Sequence, residues 1–256
     1  GSFLRKRREE GDFRKARSCF QKAQQLARKL NNRSLDATVS MSLANVEVLC
    51  GNSKEALKNV HRSDELIRRL GRMEQSCLLL GNMASCYIHL DDIKKAARML
   101  KRADKILKHL KGRTGLETAQ MIYAGNTAII LNLRGKYDIA VAYANQAFKI
   151  GTLLEKKHLY PFLAIIYIEA LAGKGEMEKA RKLTPYIFNV DIDSVEPHVQ
   201  TRLLMQQGMA YAVLNQREKA IDIAYRVHKL MSELRLKDLE VHYEYRKLQR
   251  LLEHNL

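Results

Sequence analysis

The sequence predicts an all-α solenoid, built from about six antiparallel helix pairs and closed by a C-terminal capping helix. Three observations carry this. A six-residue signature recurs, reading GDFRKA at 11–16, GNSKEA at 51–56, DDIKKA at 91–96, GKYDIA at 135–140, GEMEKA at 175–180 and NQREKA at 215–220. Its closing alanines, Ala16, Ala56, Ala96, Ala140, Ala180 and Ala220, are separated by 40, 40, 44, 40 and 40 residues. A fixed period of this length marks stacked supersecondary units, none of which buries its own apolar stripe alone. Finally, three prolines, thirteen glycines and no tryptophan in 256 residues leave too few turn residues for an all-β chain.

Twelve residues before each alanine from Ala56 onward stands a second marker: Ala44, Ala84, Ala128, Ile168 and Gly208. Three residues further come Glu47, Tyr87, Leu131, Leu171 and Tyr211. Each unit therefore holds a helix A that approaches a turn and a helix B that leaves it. Small residues at matching heights let the two backbones approach, and larger ones fill the gaps between neighbouring pairs. The expected units are a truncated first repeat at 1–30, then 31–71, 72–112, 113–155, 156–193 and 194–235, with the cap at 236–256. Phe3 to Arg8 supply only a remnant of a first helix A before a turn at Gly11, so the chain reads as a piece of a larger protein. The fourth unit is longer by four residues around KGRTGLE at 111–117. In the fifth, Pro185 falls where helix B should continue. A proline inside a helix removes a hydrogen bond and clashes with the preceding turn, so a shortened or kinked helix is expected there.

This pattern resembles the tetratricopeptide repeat in its longer variant of about 40 residues, as in Pins-type spindle-orientation adaptors and the sensor arms of some bacterial signalling regulators. The resemblance spans nearly the whole chain. It implies a right-handed superhelical array whose A helices line a concave face, and a protein–protein interaction scaffold within a larger adaptor or regulator. Such a fold specifies a platform and no chemistry. The family's groove positions fall on Met41, Asn45, Ser85, Ile122, Ile129, Asn132, Phe162, Ile165, Glu169, Met205 and Met209. The carboxylate clamp that some members use for chaperone tails needs lysine, arginine and asparagine; only Asn45 and Asn132 fit. The expected ligand is instead a peptide or amphipathic helix held by the apolar positions. The opposing expectation is that tight winding buries those positions against one another.

A second surface is basic. The chain carries a net charge of +17. Residues 1–120 hold 26 Lys and Arg against 13 Asp and Glu, while the remainder hold 19 against 15. The excess peaks in KKAARMLKRADKILKHLKGR at 94–113, where Lys94, Lys95, Arg98, Lys101, Arg102, Lys105 and Lys108 fall on one broad arc of a helix. This face is either a solvated, solubilising surface or a site for an anionic partner such as nucleic acid. Aromatics are not interleaved with these charges, which disfavours base stacking. A third reading is a regulatory arm that self-associates or contacts an effector domain elsewhere in the parent protein.

No phosphate-binding loop, GxSxG, HExxH or GxGxxG motif occurs. The adjacent acids Asp91 and Asp92 stand at a turn, where a carboxylate caps a helix start. No catalytic residue, metal site or cofactor is expected. Cys19, Cys50, Cys77 and Cys86 form no CxxC pair and read as free thiols of a reducing compartment. An intracellular location follows, cytoplasmic in the first instance, with RKRR at 5–8 as the feature that would favour the nucleus. No apolar run is long enough for a membrane-spanning helix.

Overall fold

The computed structural model describes residues 2–49, 52–192, 195, 197–234 and 239–254. Among them the protein is all-α: α1 (Ser2–Lys29), α2 (Arg33–Leu49), α3 (Ser53–Arg69), α4 (Met73–His89), α5 (Ile93–His109), α6 (Glu117–Leu133), α7 (Tyr137–Leu153), a single 3-10 turn (Lys157–Leu159), α8 (Tyr160–Gly173), α9 (Met177–Arg181), α10 (Pro185–Phe188), α11 (Pro197–Val213), α12 (Arg217–Leu234) and α13 (Leu239–His254). The chain divides into two compact units, one holding α1 to α5 and the other α7 to α12 with nearly all of α6 and α13. In the first, α2 packs on α1 and α3, and α4 on α3 and α5. In the second, α8 packs on α7, α9, α10 and α11, and α11 on α12.

The repeated positions explain the pairing. Ala56, Ala96, Ala140, Ala180 and Ala220 are fully buried, and Ala44, Ala84, Ala128, Ile168 and Gly208 are buried with them. An alanine has no side chain to fold away, so the partner backbone comes close at that height and the longer neighbours interdigitate above and below. The helices α2 to α7 are each 17 residues long, about 25 Å apiece.

The turns repeat at atomic detail. After α4, α6, α8 and α11, the residue after next past the helix end is left-handed: Asp91 (φ 60°), Gly135 (67°), Gly175 (88°) and Asn215 (61°). The next residue donates its N–H back five residues, from Asp92 to Tyr87, Lys136 to Leu131, Glu176 to Leu171 and Gln216 to Tyr211. This is the Schellman closure, which satisfies the last carbonyls of a helix and reverses the chain. The acceptors are the very residues that follow each helix-A marker by three. Asn31, Gly71 and Glu155 close the B-to-A links in the same way. Asp92 then caps α5, its Oδ1 accepting from the Lys95 N–H at 3.0 Å.

Two local features differ in outcome. The turn expected at Gly11 is absent, because α1 continues through it. One glycine in a long run of helix formers costs only about 1 kcal/mol. The break near Pro185 is present: α9 stops at Arg181 and Pro185 opens the separate helix α10. Pro161 and Pro197 also stand in the first turns of their helices, where no N–H is required.

Candidate functional site

In the second unit the structure redistributes the groove positions. Ile129, Ile165, Met205 and Met209 are only 9%, 3%, 0% and 3% exposed. They are core, the second of the two expectations for these positions. The reason is visible along the helices: Leu163 to Ile166 on α8 and Leu203 to Ala210 on α11 are buried without a gap. Consecutive residues step through 100° each, so these helices are covered on every side. Ile122 and Phe162 are half-buried and pack against the same core. Asn132 donates through Nδ2 to the Ile166 carbonyl at 3.1 Å, which ties α6 to α8.

Part of that cover is α13. Leu248 is fully buried in the cluster that contains Ile165, Ile168, Leu171 and Met209, with Leu251 and Leu252 packed beside it. A Cβ on Gly208 would lie 2.9 Å from Leu248 Cδ2 and 3.0 Å from Ile223 Cγ2. The bare glycine is thus the notch into which Leu248 fits. Tyr245 packs on the neighbouring cluster of Leu204, Met205, Ile223, Val227 and Met231, and its ring stacks on His228 at 6.0 Å. Burial pushes the Tyr245 hydroxyl above its ordinary pKa. Lys247 completes the seat, its Nζ lying 2.5 Å and 2.7 Å from the two carboxylate oxygens of Glu169 on α8. An amphipathic helix therefore lies on the surface of α8, α11 and α12, with a leucine in a notch, a flanking aromatic, an ion pair to α8 and a further buried acid, Glu244, among its contacts.

In the first unit Met41 and Ser85 are half-buried, and the side chain of Asn45 lies outside the described residues. Of the basic positions, Lys94, Lys95, Arg98, Lys101, Lys105 and Lys108 are exposed on α5 and Arg102 is half-buried. The seven divide into two sets. Lys95 pairs with Asp92 at 2.6 Å, Arg102 with Asp64 at 3.3 Å and Lys108 with Asp104 at 2.7 Å. Lys95 holds the Asp92 carboxyl below the usual range and is itself raised by it. Lys94, Arg98, Lys101 and Lys105 form no ion pair among the described residues. At 100° per residue these four share an arc of about 60°. On α3, by contrast, Lys58, Arg62, Arg68 and Arg69 all face carboxylates.

Sequence reasoning missed a set of buried acids that tie the helices of this unit together. Asp36 on α2 takes Arg62 of α3 at 2.5 Å, and Asp64 on α3 takes Arg68 at 3.2 Å and Arg102 at 3.3 Å. Glu47 on α2 takes Arg17 of α1 at 2.8 Å. The one signal available was that Arg62 and Arg102 stand one period apart.

Between α11 and α12 a shallow depression is lined by Glu218, Lys219, Asp222 and Arg226 beside Gln207 and Tyr211. Its acids and bases alternate, and Lys219 lies over the Tyr211 ring at 5.4 Å. Among the described residues no cluster of His, Cys, Asp and Glu suited to a metal occurs, and no helix is long and apolar enough to cross a membrane. No protein-family model matches the chain, and no curated protein matches it significantly.

Proposed function

We propose that the chain is a non-enzymatic protein-interaction scaffold of the tetratricopeptide kind, whose second unit captures an amphipathic helix of a partner, as part of a larger adaptor or signalling regulator. The observation that carries the reading is the seat of α13. That helix lies against Glu169 and the Met209 cluster with the ligand features a helix-binding groove requires: an apolar side chain in a notch, a flanking aromatic and one orienting charge. A helix bearing lysine followed at once by leucine, with two further leucines one turn on, reproduces the contacts of Lys247, Leu248, Leu251 and Leu252. In this reading α13 holds the site until a partner helix replaces it.

The test is exchange in trans. A labelled peptide of residues 239–254 is titrated into the chain carrying Leu248→Asp, which cannot seat its own α13. Saturable binding is expected, and adding Glu169→Lys should weaken it about tenfold, the scale of one charge-assisted pair of hydrogen bonds. Absence of binding while circular dichroism stays helical would contradict the proposal.

A further inference from the structure

We propose that the four unpaired cations of α5 form a docking strip for an acidic α-helix of a partner protein, one with carboxylates at positions i, i+4, i+7 and i+11. It shares with the proposed function only the premise of a protein partner, and it concerns the other unit.

The first support is the pairing pattern. Every other cation of α5 that the sequence marked has a carboxylate, and α3 neutralises four of its own. Lys94, Arg98, Lys101 and Lys105 project as one line of like charge along α5, with no acid within ion-pair distance among the described residues. Like charges at these spacings destabilise a helix slightly, and an opposing row of carboxylates would remove that repulsion.

The second support is register. The intervals are 4, 3 and 4 residues, so the strip extends about 16 Å along one helix face. A second α-helix has the same rise per residue. Its carboxylates at 4, 3 and 4 meet the cations one for one, and because the order is the same read backwards, they do so in either chain direction. A nucleic-acid strand shares neither the rise nor the spacing.

The third support is what the strip lacks. None of the exposed large apolar side chains of the protein lies on α5, so nothing there would insert into a lipid surface. No aromatic stands among the four cations on which a base could stack. The strip is one side chain wide, with acid-paired cations beside it, which suits a single helix better than a duplex about 20 Å across presenting phosphates on all sides.

The probe is a designed alanine-rich peptide with four glutamates at the 4-3-4 spacing, compared by fluorescence anisotropy with a permuted peptide of equal composition and helicity and with a single-stranded oligonucleotide. Each exposed pair contributes a factor of about two, so the matched peptide should bind about tenfold more tightly than the permuted one, and added salt should erase the difference. The variant K94E/R98E/K101E/K105E, whose changes are all at exposed positions, should lose the matched peptide and gain its lysine counterpart. Equal affinity for both peptides would overturn the proposal, as would failure of the lysine peptide to rescue. Tighter binding of the oligonucleotide than of the matched peptide would make the strip a phosphate-binding surface and overturn it too.

Discussion

Arg102 on α5 reaches Asp64 on α3, its Nη2 lying 3.3 Å from Oδ2, while Ser76 on α4 donates to the other carboxylate oxygen at 3.1 Å. One buried acid thereby connects three successive helices. Replacing Asp64 with alanine leaves the Ser76 hydroxyl without its acceptor in the interior, while Arg68 and Arg102 turn to solvent. The expected cost is about 1–2 kcal/mol, typical of a lost buried hydrogen bond. Arg102→Ala should cost less, since Arg68 still faces the acid. Urea denaturation of both variants checks the order, and equal losses would mean that Arg102 is the dominant partner.

Backbone approach gives a second prediction. A Cβ on Gly151 of α7 would overlap Leu163 Cδ1 of α8, with the Met121 sulfur 3.5 Å away. Gly151→Ala raises helix propensity by about 1 kcal/mol, but overpacking of this kind costs about 1–3 kcal/mol. A net fall in melting temperature is expected. A rise would show that Leu163 repacks freely.

The cysteines allow a chemical check. Cys19 is exposed, whereas Cys77 and Cys86 are buried, and burial pushes the Cys77 thiol up to about 11. A thiol held neutral and out of solvent reacts slowly. In the native protein a maleimide should label Cys19 within minutes and spare Cys77 and Cys86 until denaturant is added, as peptide mapping would show. Rapid native labelling of Cys77 would contradict the packing of α4 against α5. Cys50 lies outside the described residues.

A pH prediction follows from three carboxylates. Asp92 is held low by Lys95, Glu74 by its own backbone N–H and by Arg113, and Glu176 by Lys179 and Lys174. A carboxyl whose folded pKa lies below its unfolded value stabilises the fold above the unfolded value, near pH 4, and loses that contribution as pH falls through the folded one. Melting temperature should therefore be flat near neutrality and decline below about pH 4. A decline that begins near pH 6 would point to histidine instead.

The helix pairs were legible because their cause is periodic. An alanine every forty residues and a left-handed turn residue before it are local requirements that the sequence states openly, and Ala56, Ala96, Ala140, Ala180 and Ala220 all lie in the core. The exposed strip on α5 was legible for the same reason, since helical spacing alone places its cations. Whether Met205 and Met209 lie in a groove or in the core was not legible, because their burial depends on α13 and on the neighbours of α11, contacts distant in sequence that no period encodes. The Asp64 and Glu169 ion pairs were hidden likewise, spanning 38 and 78 residues.

On the proposed function, α13 occupies a helix-binding surface from which it can leave. Leu248 and Glu244 are its buried described side chains, with Tyr245, Leu251 and Leu252 half-buried beside them, and fully burying one leucine contributes about 1.5–3 kcal/mol. The helix should therefore open well below the free energy that unfolds α8 and α11. Native-state hydrogen exchange resolved by segment measures this directly. The amides of 241–254 should exchange at least tenfold faster than those of 163–171 and 203–210, and Lys247→Glu should widen the gap. Exchange of all three segments at one common rate, with the variant shifting them together, would make α13 an integral part of the core and contradict the proposed function.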